Sequence, residues 1–182
     1  MRRIVVWLSL LGTLSTIPLA AQDSTPKPPD STHVDSTPPP PSPEQIKWMQ
    51  GLRTASRGIG QIKTGIDLVQ RAQGGGDPAH VHSAGKLLAG YCGTARGFMR
   101  SGVARMSATA YTGDGRNIAR QVVTQIDSVI KESITCEQQA AHDPKVSIDR
   151  LATVIRGYEA AIAAWRAMVG LPQLAAPRPP SQ

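Results

Sequence analysis

The chain has 182 residues, 20 lysines and arginines against 13 acidic residues, a formal net charge of +7 and two cysteines. Aromatic residues make up only 4% of it, so any core is aliphatic and alanine-rich. The positive excess is too small to imply nucleic acid, and no Gly-x-Ser-x-Gly, P-loop, Cys-x-x-Cys-His or Glu-x-x-His pattern is present for hydrolytic, nucleotide, haem or di-metal chemistry.

Residues 1–21 read as a secretory signal peptide. Arg2 and Arg3 form a positive start, Ile4 to Leu14 an apolar run, and Leu19-Ala20-Ala21-Gln22 a small-residue cleavage region. The apolar run is shorter than the ~20 residues a spanning helix needs, so the chain is not expected to be transmembrane after cleavage. An exported protein, periplasmic or extracellular, is expected, and in that setting a disulfide is permissible. Without Arg2 and Arg3 the cations still exceed the acids by five.

Residues 22–42 repeat Asp-Ser-Thr at Asp23, Asp30 and Asp35 and run through Pro38 to Pro41. Such a stretch cannot bury a core and favours extended polyproline conformation, which makes it a disordered, semi-rigid spacer. The domain then occupies 43–172, about the size of one unit with its own core, and 173–182 is a proline-rich tail.

Ser42-Pro43-Glu44-Gln45 supplies an N-cap, a proline at the first helical position and a glutamine three residues on. Behind it Trp48, Leu52, Ala55, Ile59, Ile62, Ile66 and Val69 alternate spacings of four and three, a heptad seam that ends at Gly74-Gly75-Gly76. Asp77-Pro78 opens a second helix through Val81, Ala84, Leu88, Cys92, Ala95, Met99, Gly102 and Met106. The turn Thr112-Gly113-Asp114-Gly115 leads into a third, through Ala119, Val122, Ile126, Val129, Ser133 and Cys136. Asp143-Pro144 opens the fourth, through Ile148, Leu151, Ile155, Tyr158, Ile162, Trp165 and Val169, which stops at Gly170. The expected fold is therefore all-α, an antiparallel up-down four-helix bundle.

Cys92 lies 21 residues before Gly113 and Cys136 lies 23 after it. At ~1.5 Å of rise per residue a helical hairpin brings both thiols to nearly the same height, which predicts a Cys92–Cys136 disulfide. Gly51, Gly58 and Gly65, seven residues apart, and Gly90, Gly93 and Gly97 predict close backbone approach between the first two helices. The alternative for these glycines is a weakened pair that opens for a ligand or a membrane.

Topology sorts the polar side chains to two ends. The 2–3 turn gathers Arg96, Arg100, Arg105, Arg116 and Arg120 near Trp48, Met49, Met106, Trp165 and Met168, a composition suited to an anionic envelope partner: lipid, glycan or acidic protein. The opposite end gathers His80, His82 and His142 with Asp77 and Asp143. A His-x-His pair with a third histidine has the ligand types of a zinc or copper site, although residues i and i+2 share no helix face. No cofactor is otherwise implied. The leading expectation is a non-enzymatic exported bundle acting through its arginine-rich end, with a small-ligand or metal-binding bundle as the alternative.

Overall fold

The computed structural model describes residues 40–172; the expected signal peptide, most of the spacer and the tail at 173–182 lie outside them. The described residues are all-α. Four helices run Pro43–Gly74 (α1), Pro78–Val103 (α2), Gly113–Gln139 (α3) and Pro144–Met168 (α4), with one 3-10 turn at Ala108–Ala110. No helix among these residues is long and apolar enough to cross a membrane.

Three helices begin at side-chain caps. Ser42 Oγ accepts from the Gln45 N–H at 3.2 Å while Gln45 Oε1 accepts from the Ser42 N–H at 2.9 Å, so both arms of the capping box are closed. Asp77 accepts from the Ala79 N–H at 2.9 Å and Asp143 from the Val146 N–H at 3.1 Å. α3 has no side-chain cap bond and starts instead at Gly113, whose φ of +53° suits only a residue without a Cβ.

α2 stops at Val103, three residues before Met106, where the periodicity carries it. Beyond it the Ser107 side chain accepts from the Thr109 N–H at 3.2 Å and fixes the 3-10 turn, a local bond that competes with helix continuation. Met106 stays buried nonetheless, which is why its place in the apolar pattern misleads about the boundary.

α1 and α2 approach through glycine. A Cβ at Gly51 would meet the Gly102 carbonyl oxygen at 2.6 Å, one at Gly58 the Ala95 carbonyl at 2.7 Å, and one at Gly65 the Leu88 side chain at 2.9 Å. The partners descend along α2 as they ascend along α1, so the two helices run in opposite directions. The glycines on α2 depart from expectation. Gly102 supplies the close approach, Gly93 faces Glu137 of α3, and Gly90 and Gly97 have nothing within 4 Å of a Cβ position. A period of seven marks one face of a helix but does not say which neighbour covers it.

The Cys92–Cys136 disulfide joins α2 to α3 with the two Cα atoms 6.1 Å apart, both side chains buried. The α3–α4 pair closes where Gly115 takes Met168 and Gly157 takes Gln125. α4 returns to α1 through a 2.7 Å hydrogen bond between Ser56 and Tyr158 and an ion pair between Lys63 and Glu159. Since the Ser56 hydroxyl donates to the Leu52 carbonyl at 2.8 Å, the Tyr158 hydroxyl is the donor to Ser56. Burial pushes the Tyr158 phenol above its ordinary pKa. The largest fully buried side chains, Trp48, Ile62, Leu88, Met99, Ile126 and Leu151, come from all four helices and form one core.

Candidate functional site

The end where α2 passes to α3 rests on an aromatic floor. Trp48 is fully buried, stacks at a tilt on Trp165 with ring centroids 5.1 Å apart, and meets Tyr111 edge-on at 5.3 Å. The Trp165 indole N–H donates to the Tyr111 hydroxyl at 3.1 Å, and burial raises the pKa of that phenol. Tyr111 is the floor residue that sequence reasoning missed. It sits in the connection, outside any periodic pattern, and its only signal was being an aromatic directly before a Thr-Gly turn.

The five predicted arginines do not form one uniform face. Arg96 is ion-paired to Glu137 at 2.6 Å, beside Gly93 and the disulfide, so it ties α2 to α3 and its charge is answered. Arg100 is exposed in the last turn of α2, where the helix dipole favours a cation. Arg105 lies in the connection with its stem against Gly51. Arg116 donates through Nε to the Tyr111 carbonyl at 3.4 Å, and Arg120 is exposed one turn further along α3. Among the described residues no carboxylate lies within ion-pair distance of Arg100, Arg105, Arg116 or Arg120.

The same end carries further cations that the sequence pattern left out. Lys47 and Arg53 project from the first half of α1, with Arg57 at mid-height over the Phe98 ring at 5.8 Å, and Arg166 leaves the last turns of α4 to donate to the Pro172 carbonyl. Setting aside the two interhelical ion pairs, which carry no net charge, seven cations stand nearest this end: Lys47, Arg53, Arg100, Arg105, Arg116, Arg120 and Arg166. They face only Glu44 and Asp114. Arg57, Arg156 and Asp127 lie at mid-height, and toward the other end Arg71, Lys86, Lys131, Lys145 and Arg150 are equalled in number by Asp67, Asp77, Glu132, Asp143 and Asp149. Most of the positive excess of the described residues therefore lies at the aromatic end, five of the six charges, with the sixth at mid-height.

At the opposite end the three histidines are not brought together. His80 Nδ1 pairs with Asp77 Oδ2 at 3.0 Å, while His82 Nδ1 donates to the Ala141 carbonyl at 2.9 Å. His82 and His142 both line an open cleft of about 350 Å³ with Gln73, Val81, Ala141 and Pro144. Both aspartates are occupied as helix caps, and no group of three or more metal-binding side chains exists among the described residues. A His-x-His spacing on a helix turns the two rings to different sides, His80 to its own cap and His82 to the 139–144 loop.

No protein-family model, curated protein or solved structure matches the chain.

Proposed function

We propose that the protein is a non-enzymatic, exported antiparallel up-down four-helix bundle that binds an anionic component of the cell envelope through its arginine-rich end. The observation that carries this reading is the charge separation: a net of five positive charges at the aromatic end and balance at the other. Like charges crowded on one end repel and do not arise from packing requirements, whereas an anionic partner answers them. The disulfide is compatible with an oxidising compartment, and the basic, apolar start of the chain with secretion.

The test is binding to isolated envelope across a salt series. Association of the mature protein should weaken as ionic strength rises, because exposed charges are screened beyond ~10 Å at 0.1 M. Arg100, Arg105, Arg116 and Arg120 changed together to Gln should leave helicity intact and abolish most binding. A variant that binds as the parent does would refute the reading. Arg96 is excluded from this set because it serves the α2–α3 ion pair.

The small-ligand alternative rests on the cleft beside His82 and His142. Its lining is mostly apolar and open, and no second observation supports it.

A further inference from the structure

Resting on the arginine-end reading, we infer that the partner is the surface of an anionic phospholipid bilayer, met end-on, with Ile46, Val169 and Leu171 entering the headgroup region between the arginines. Of six large apolar side chains exposed among the described residues these three, 43%, 36% and 41% exposed, are the ones at the arginine end, while Leu87, Ile134 and Val146 lie toward the other, where no positive excess accompanies them. Their position follows from the fold. Trp48 stacks on Trp165, so the first turn of α1, with Ile46, and the C-cap of α4, Val169, reach the same end. Met49 and Met168 pack half-buried against the core beneath them.

Leu171 is held there by the helix end. The Gly170 N–H donates to the Ala167 carbonyl and the Leu171 N–H to the Arg166 carbonyl at 2.9 Å, with Gly170 at φ +70°. That is a Schellman closure, which ordinarily covers the residue in the place of Leu171 by a contact with the last turn. Here Leu171 keeps two-fifths of its surface in water and Arg166 reaches past it to the Pro172 carbonyl. Exposed apolar side chains and cations without a carboxylate partner therefore share this end.

Charge complementarity selects the occupant. A glycan or an acidic loop answers the arginines but gives the apolar side chains nothing to enter. A second copy of this end would set cation against cation. An anionic bilayer satisfies both, because phosphates take the arginine forks while short apolar side chains lie at the headgroup boundary. Two kinds of weak signal together are what reversible surface binding requires.

The experiment is co-sedimentation of the full mature protein with vesicles of phosphatidylglycerol and phosphatidylcholine, with pure phosphatidylcholine vesicles, and with the anionic polysaccharide dextran sulfate as the non-lipid arm. Three proteins are compared: the parent, I46S/V169S/L171S, and R100Q/R105Q/R116Q/R120Q, each checked for unchanged helicity. The parent should bind the anionic vesicles at low salt and ignore the neutral ones. Both variants should bind at least tenfold more weakly, the apolar one through loss of buried surface. An apolar variant that matches the parent on anionic vesicles would overturn this inference and leave the arginine-end reading standing. A parent that binds dextran sulfate but not vesicles would do the same. A parent that binds neither at low salt removes both.

Discussion

Glycine inside a helix is worth about 1 kcal/mol less than alanine, so Gly→Ala is ordinarily stabilising. This protein separates that intrinsic term from packing in a single chain. Gly90 and Gly97 on α2 have nothing within 4 Å of a Cβ position. Gly90→Ala should therefore stabilise the fold by about 0.5–1 kcal/mol, roughly 4 °C of melting temperature per kcal/mol for a domain of this size. Gly102, twelve residues on in the same helix, is different. Its Cβ would lie 2.5 Å from the Gly51 carbonyl oxygen, 2.7 Å from the Ala55 nitrogen and 2.8 Å from the Ala55 Cβ. None of these is the far end of a flexible side chain, so relief requires α1 and α2 to separate along a pair of helices that Gly58 and Gly65 also hold close. Overpacking of a rigid contact costs about 1–3 kcal/mol, and three such contacts point to the upper part of that range. After the helix-propensity gain, Gly102→Ala should lose about 1–2 kcal/mol. The assay is urea denaturation of the oxidised protein followed by circular dichroism, with Gly90→Ala as the internal measure of propensity. Equal stability of the two variants would refute the claim that glycine sets the α1–α2 distance.

Two further outcomes follow from the fold. The disulfide closes a sequence separation of 44 residues, which by the chain-entropy relation contributes about 4 kcal/mol, so reduction should lower the denaturation midpoint sharply; two free thiols in the non-reduced mass spectrum of exported protein would refute the bond. Ser42→Ala removes the acceptor for the Gln45 N–H and should cost ~1 kcal/mol, read as a shift of the urea midpoint.

What was legible in the sequence was the periodic part. The caps at Ser42, Asp77 and Asp143, the four seams and the Cys92–Cys136 pairing all follow from spacing and local chemistry. The connection was not, because Met106 continues the apolar period of α2 while its backbone has already left the helix under Ser107. The site was half legible. Arginine numbers are visible in the sequence, but whether a charge is free depends on side chains far along the chain. Arg96 looked like a patch residue until Glu137, forty-one residues on, was placed beside it. Gly90 and Gly97 failed for the same reason, since a repeat identifies a face and only the fold supplies its neighbour.

The arginine end also carries a cost that can be measured without any partner, and it differs in sign between its members. Arg100 sits in the last turn of α2, where a cation meets the negative end of the helix dipole and is favoured by it. Arg116 stands at the opposite kind of end, in the first turns of α3, with Arg120 four residues on along the same face. Its hydrogen bond to the Tyr111 carbonyl is long at 3.4 Å. Arg116→Gln should therefore raise stability at low salt by about 0.5 kcal/mol, combining relief of dipole and like-charge repulsion, and the gain should vanish near 1 M salt, where screening reaches ~3 Å. Arg100→Gln should lower stability by a few tenths of a kcal/mol under the same conditions. A stabilising Arg116→Gln shows that the chain keeps a cation the fold itself disfavours, as the arginine-end reading expects of a contact residue. If Arg116→Gln instead destabilises as Arg100→Gln does, its place is explained by the Tyr111 bond, and the proposed surface loses that member.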